Sequence, residues 1–175
     1  MSRIISGCYG GLYIDSPKHA IRPTSGIIKE YIFNVLQSLE GRLVLDLFSG
    51  SGSLGIEALS RYAEMVYFVD NDPRSVRLIK NNLEKIAAPA SSWKCIKANA
   101  FRFIEQNTHK FDVILADPPY DLTLPSEFFE ACRNSLSKNG IFVLEYSTHT
   151  SFDSENWEAY KIKKAGDTGV WIFKG

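Results

Sequence analysis

The sequence predicts an α/β fold, with a doubly wound, mostly parallel sheet of seven strands, an antiparallel C-terminal strand and an N-terminal β-hairpin extension. Two observations favour this class. From Leu43 onward, short apolar runs alternate with segments of helical periodicity, as in strand–helix–strand units joined by right-handed crossovers. Val113–Ala116 is a continuous apolar run of strand length, which is typical of a strand buried on both faces of a parallel sheet.

The N-terminal segment precedes this alternation. Residues 2–14 alternate apolar and polar side chains around Gly10-Gly11, which predicts a hairpin of Arg3–Ser6 and Tyr9–Ile14 outside the main sheet. A loop is expected over residues 15–23. Pro23 followed by Thr24-Ser25 predicts the start of a helix, and apolar residues keep helical spacing to Leu39, so we expect Gly41 to end it.

The remaining elements alternate strictly. The predicted strands are Leu43–Phe48, Val66–Val69, Trp93–Lys97, Val113–Ala116 and Ile141–Tyr146. The predicted helices are Leu54–Tyr62, a helix capped by Asp72 with Pro73 at its first position, Phe101–Gln106, and a helix near residues 125–137. Residues 147–156 are polar and show no full helix. Residues 157–164 and Val170–Lys174 predict a final antiparallel pair, joined around Gly166–Gly169.

Composition limits the possible classes of protein. A length of 175 residues predicts one domain, with an N-terminal hairpin and helix over residues 1–40 and a core over residues 41–175. The net charge is zero, so any basic surface must be local. Three separated cysteines and three histidines show no metal-ligand spacing, and no stretch has membrane-spanning length. We expect a cytoplasmic, monomeric protein that binds neither a metal nor a membrane.

A glycine-rich motif follows the first core strand. Gly50, Gly52 and Gly55 form G-x-G-x-x-G before a helix, and Asp70 ends the next strand twenty residues after Gly50, where a carboxylate can bind ribose hydroxyls. The motif alone points to a dinucleotide. Asp46 argues against one, because a carboxylate beside the loop repels a pyrophosphate but attracts the ammonium of S-adenosylmethionine. A glycine turn that serves packing alone is the alternative interpretation.

A stiff hook follows the apolar run at Val113–Ala116. It consists of Asp117, Pro118, Pro119 and Tyr120. The two prolines hold the backbone extended at the carboxyl end of the strand, where open α/β sheets bind their ligands. The Asp117 carboxylate, the Pro118 carbonyl and the Tyr120 ring suit a planar base that carries an amino group. A strand end closed by a turn is the alternative.

Other residues are predicted to line the cofactor site. The full predicted set is Asp46, Phe48, Gly50, Gly52, Asp70, Asn71, Asn99, Ala100 and Asp117. Asn99 is expected at the adenine edge, although a helix cap would explain it equally well. Phe48 and Phe68 could flank the adenosine, although aromatic side chains in strands more often belong to the core.

Short segments along nearly the whole chain carry a family resemblance. They are residues 3–7, Ile21–Ser25, Phe33–Leu36, Asp46–Gly55, Glu57–Arg61 and Asp117–Tyr120. With them the chain resembles the class I S-adenosylmethionine-dependent methyltransferases, and more narrowly the RsmD family, which methylates the exocyclic N2 amine of one guanine in bacterial small-subunit ribosomal RNA. The resemblance implies a Rossmann-like methyltransferase fold, S-adenosyl-L-methionine as cofactor, and that RNA or the assembled small-subunit particle as partner. Two positions depart from the family pattern, Leu12 where a basic residue is usual and Asp70 where glutamate is frequent.

The resemblance also implies roles for the hook and the N-terminal segment. Asp117 and the Pro118 carbonyl accept hydrogen bonds from the guanine amine, Pro119 stiffens the hook, and Tyr120 stacks on a flipped-out base. Residues 1–29 contain four basic residues against Asp15, a net charge of +3. The RNA-contacting residues are therefore predicted to be Arg3, Lys18, Arg22, Thr24 and Lys29. A solvated charged face is the alternative.

Two other functions stay open. The hook also occurs in adenine-N6 methyltransferases of DNA or RNA, but these generally need a target-recognition domain, for which 175 residues leave little room. A non-catalytic adenosine-binding module is the second, and the intact hook argues against it.

Overall fold

Nine strands and five helices are found in the part of the chain that the structure describes. This part of the computed structural model comprises residues 1–17, 23–149, 157 and 159–175, with the backbone alone for residues 23–25. The strands are β1 (Ser2–Arg3), β2 (Tyr13–Ile14), β3 (Leu43–Leu47), β4 (Met65–Asp70), β5 (Trp93–Lys97), β6 (Phe111–Ala116), β7 (Leu136–Ser147), β8 (Ala159–Ala165) and β9 (Thr168–Lys174). The helices are α1 (Pro23–Leu36), α2 (Ser53–Ser60), α3 (Pro73–Lys85), α4 (Ala100–Glu105) and α5 (Ser126–Ser135).

Seven of the strands form one sheet in the order β5-β4-β3-β6-β7-β9-β8. The first five in this order run parallel, and β9 lies antiparallel between β7 and β8. The chain leaves β3 towards β4 on one side and later returns to β6 on the other. The ends of β3 and β6 therefore form the switch point at which such sheets bind ligands. The predicted fold class is confirmed.

Alternating side chains of the strands build two cores. In β3, Val44 packs with apolar residues of α1, α2 and α3, whereas Leu45 and Leu47 pack on the opposite face with α4 and α5. Successive residues of a strand point to opposite faces, so a fully apolar strand such as β6 serves both cores at once.

Most elements differ from the sequence prediction by one or two residues at an end, and three regions differ in a more informative way. Helix α1 ends at Leu36 rather than at Gly41, because Gln37 adopts a left-handed conformation with φ of 58° and donates its N–H to Phe33 O at 2.9 Å. The hairpin strands have two residues each, since Cys8 and Tyr9 donate to Ser60 instead of extending the ladder. Strand β7 begins at Leu136, directly after α5.

A buried carboxylate joins the N-terminal segment to the core. Glu57 of α2 is fully buried and accepts the N–H groups of Ile5 at 2.7 Å and Ser6 at 3.2 Å. Its carboxylate also accepts from Arg61 Nε at 3.1 Å. The N-terminal segment is thereby held beside the glycine loop.

No helix among the described residues is long and apolar enough to cross a membrane.

Candidate active site

Two adjoining cavities open at the carboxyl edge of the sheet. Their volumes are about 550 and 540 Å³, and they share Phe48, Gly50, Asp117 and Glu145. The first cavity is also lined by Asp70, Asn71, Ser75, Asn99, Ala100, Phe101, Pro118, Pro119, Tyr120 and Leu122. The second is also lined by Arg3, Lys29, Asp46 and Ser53, among others. Both lie above the switch point between β3 and β6.

The glycine loop is held by hydrogen bonds between the Ser49 hydroxyl and backbone groups. Ser49 Oγ donates to Asp46 O at 2.6 Å and accepts from Val69 N at 2.9 Å, which ties the loop to β4. Phe48 and Gly50 both have positive φ, 58° and 56°. For Phe48 this conformation is strained, and such strain occurs mainly at functional sites. Gly50 lines both cavities, and its contact with a cofactor stays a prediction.

Gly52 has a packing role and lines neither cavity. It is buried with φ of 80°, and a Cβ there would lie 3.2 Å from Ile79 and 3.3 Å from Ile56. The structure therefore gives no support to the predicted approach of Gly52 to a ligand.

Asp70 organises the loop as well as lining the first cavity. Its carboxylate oxygens accept from Gly50 N and from Asp72 N, each at 2.8 Å. Each oxygen keeps a second lone pair, so the carboxylate can still accept the ribose hydroxyls for which it was predicted. Asn71 lines the same cavity beside it.

Asp46 lies beneath the loop and is 1% exposed. Burial raises the pKa of Asp46 to about 8, opposed by the hydrogen bond from Gly55 N and reinforced by the charges of Asp117 and Asp70. A bound cation would counter this penalty, so the position suits the ammonium group predicted for it.

Aromatic and amide side chains form the outer wall of the first cavity. Phe48 meets Phe101 edge to face, with ring centroids 5.9 Å apart. Asn99 Oδ1 accepts from Arg102 N at 3.2 Å, so Asn99 caps α4 while it lines the cavity beside Ala100. Phe68 is fully buried in the core, which agrees with the alternative interpretation of this aromatic side chain.

The predicted hook lies between the cavities and the end of β9. Asp117 is exposed and lines both cavities, whereas Pro118 is buried. The Tyr120 hydroxyl is hydrogen-bonded to the buried Thr168 hydroxyl of β9 at 2.5 Å. The ring of Tyr120 is therefore fixed by a strand distant in sequence, a contact that the sequence did not indicate.

Glu145 was not predicted from the sequence. This buried residue of β7 lines both cavities together with Gly50 of the glycine loop. The signal was present, because Glu145 is the one charged residue in the otherwise apolar run Ile141–Tyr146. A carboxylate near the end of a buried strand is a functional candidate.

The residues predicted to contact RNA have different environments. Arg3 is exposed at the second cavity. Lys29 is only 6% exposed and donates to Arg3 O at 2.7 Å and Ser53 Oγ at 3.2 Å, so it is not the solvent-facing cation that the charge count suggested. Lys18 and Arg22 lie outside the described residues, as does the side chain of Thr24.

Four carboxylates thus line the two cavities, one near the end of each of four parallel strands. They are Asp46 on β3, Asp70 on β4, Asp117 after β6 and Glu145 on β7. Such a site attracts cations and repels a pyrophosphate. Within the described ranges, no three side chains of histidine, cysteine, aspartate or glutamate form a group that could hold a metal ion. The arrangement fits S-adenosylmethionine, whose sulfonium and ammonium groups are both cationic.

Comparisons with known proteins agree with this geometry. The chain is 33% identical to ribosomal RNA small subunit methyltransferase D of Haemophilus influenzae, over 98% of this chain and 93% of that protein. It is 31% identical to the protein of the same name from Escherichia coli K12, over 98% of this chain and 89% of that one. The solved structure of the Escherichia coli protein yhhF superposes with a TM-score of 0.85 at 27% identity, covering 99% of this chain and 97% of that one. The family model described as conserved hypothetical protein 95 matches residues 2–174, and the chain therefore belongs to this family, together with the RsmD methyltransferases that it resembles.

Proposed function

We propose that the protein transfers a methyl group from S-adenosyl-L-methionine to the exocyclic N2 amine of a guanine in small-subunit ribosomal RNA. The observation that carries this proposal is the hook, because Asp117 and Pro118 lie at the same cavity edge as the glycine loop and the four carboxylates. The relatives' names support ribosomal RNA as the substrate. The choice of guanine and of its N2 atom rests on the resemblance to the RsmD family.

Different residues of the two cavities would bind different parts of the cofactor. Asp70 would accept hydrogen bonds from the ribose hydroxyls, and Asn71, Asn99 and Ala100 would border the adenine. Asp46, beneath the glycine loop, would hold the ammonium group; all five residues line the cavities. When bound, the cofactor supplies a methyl group already activated by the positive sulfur.

The hook residues hold and align the substrate amine. The lone pair of a guanine amine is delocalised into the ring, and acceptance of its N–H bonds by Asp117 and the Pro118 carbonyl favours a geometry that frees it. Tyr120 stacks on the base, with its ring held by Thr168. Alignment of this kind can lower a barrier by about 7–11 kcal/mol. Since a carboxylate is too weak a base to deprotonate the neutral amine, the proton leaves after methyl transfer, when the amine is cationic.

Radiolabelled methyl transfer into separate pools of total RNA and DNA tests the proposal against its rivals. We expect label in RNA and none in DNA. Label in DNA would favour an adenine-N6 methyltransferase, and the absence of label from both, with cofactor bound, would favour a non-catalytic adenosine-binding module.

The predicted cytoplasmic location and monomeric state stay predictions.

A further inference from the structure

The outer strand β8 carries a row of exposed lysines. It ends the strand order of the sheet, and every residue from Tyr160 to Lys164 is exposed. Lys161, Lys163 and Lys164 belong to this row. Lys161 and Lys163 project to the α1 side of the sheet, as do their partners Ile172 and Val170, whereas Lys164 projects to the other side. Lys174 of β9 is exposed as well. Residues 159–175 contain these four lysines and Asp167, a net charge of +3 in a chain whose total is zero. We call Lys161, Lys163, Lys164 and Lys174 the lysine edge.

The lysine edge forms no ion pair within the described ranges. No ion pair recorded among the described residues includes any of its four lysines, and Asp167 pairs with His149 instead. Three of the ammonium groups rest on aromatic rings: Lys174 and Lys161 lie 3.7 and 5.5 Å from the centroid of Tyr160, and Lys163 lies 5.9 Å from that of Tyr31. Such contacts position a cation without neutralising it. The charges therefore stay available to an anionic partner.

The strand register connects the lysine edge to the hook. Lys164 pairs with Gly169 and Ala165 with Thr168, the residue whose hydroxyl contacts Tyr120. Lys161 lies further from the hook, opposite Ile172. With a rise of about 3.3 Å per residue, the three lysines of β8 extend over about 10 Å away from the hook. A chain of phosphates that enters the active site beside Tyr120 can follow this edge.

We propose that the lysine edge binds the sugar–phosphate backbone of the RNA that carries the target nucleotide. The inference rests on the proposed function, since it names where that RNA is held. Phosphate contacts fix the position and register of a nucleic acid without reading its sequence. The lysine edge thus orients the strand, and the hook selects the base.

A second interpretation of these lysines must be separated from this one. Lysines on an outer strand also prevent its unpaired backbone from pairing with another chain. That role requires a charge of either sign, whereas phosphate binding requires a positive one. Variants that keep charge but reverse its sign therefore distinguish the two roles.

The test measures binding of in vitro transcribed small-subunit ribosomal RNA over a salt series. The triple variant Lys161→Gln, Lys163→Gln, Lys164→Gln should bind about tenfold or more weakly at 0.1 M salt, and the slope of log K against log salt should fall by about 2. The matched control, Arg77→Gln, Lys80→Gln, Lys138→Gln, removes three exposed charges elsewhere and should bind like the wild type. Affinity for S-adenosylhomocysteine should be unchanged in both.

The sign-reversed triple variant, with glutamate at the three β8 positions, should lose still more affinity while it stays monodisperse. RNA affinity and salt slope equal to those of the wild type in both β8 variants would overturn the inference, and self-association of the glutamine variant alone would then assign the lysines to edge protection. A wild-type protein that neither binds nor methylates RNA would instead contradict the proposed function itself.

Discussion

Asp46 shows how one residue links the charge of the site to the stability of the fold. Its carboxyl group is 1% exposed, with a pKa raised to about 8 from the ordinary value of 3.8. The folded protein therefore holds a proton that the unfolded chain has released between these two values. The stabilising contribution of this group is complete below about pH 4 and is lost as the pH rises towards about 8.

We therefore expect the ligand-free protein to lose stability between pH 5 and pH 8 through Asp46. Urea unfolding across this range should show a falling free energy of unfolding for the wild type and a flatter profile for Asp46→Asn, which cannot ionise. Parallel profiles for the two proteins would mean that Asp46 is ionised in the fold despite its burial.

Substitutions in the hook should distinguish Asp117, which is needed for methyl transfer, from Tyr120, which contributes to binding of the base. Asp117→Ala should abolish methyl transfer but keep cofactor affinity within a few-fold, because the proposed role of this exposed carboxylate is to accept hydrogen bonds from the substrate amine. Tyr120→Ala should cost roughly 1–3 kcal/mol of lost stacking. Tyr120→Phe should have a smaller effect, about 1 kcal/mol, because it removes only the hydrogen bond to Thr168. Turnover and calorimetry check these values, and near-normal turnover of Asp117→Ala would make the hook purely structural.

At the scale of the element, the third glycine of the loop motif controls the packing of α2 on the sheet. A Cβ at Gly55 would lie 2.3 Å from the buried Phe68 ring and 2.9 Å from Asp46 Oδ2. Gly55→Ala should therefore destabilise the protein by about 1–3 kcal/mol. Gly26 of α1 has open space around its Cβ position, so Gly26→Ala should stabilise by about 0.5–1 kcal/mol. Equal unfolding free energies for the two variants would contradict this view of the packing.

The sequence predicted the order and type of these elements, because the spacing of apolar residues indicates which side of a helix or strand is buried. The ends of β3, β4 and β6 were found in this way, and with them Asp46, Asp70 and Asp117. Glu57 was not recognised as an anchor of the N-terminal segment, because its pairing with Arg61 at i+4 is also typical of an exposed helix face. Its partners Ile5 and Ser6 are about fifty residues away, and no local pattern shows such a contact.

Over the whole molecule the net charge is zero, but carboxylates are concentrated at the two cavities and ammonium groups at the lysine edge. These carboxylates come from four strands far apart in sequence, and the lysine edge comes from the last two strands. A basic surface was expected in residues 1–29, where positive charge is concentrated along the chain, but Lys29 is buried against Arg3 and Ser53. The position of these charges in space depends on the order of the strands in the sheet. The sequence predicted the class of the fold but not this order.

The proposed function depends above all on which atom of the RNA is methylated. Small-subunit ribosomal RNA lacking its modifications, free and in assembled particles, should be incubated with the protein and S-adenosylmethionine, digested to nucleosides and analysed by mass spectrometry. We predict one new product, N2-methylguanosine, present with the wild type and absent with Asp117→Ala. N6-methyladenosine as the product, or no methylated nucleoside from either substrate, would contradict the account.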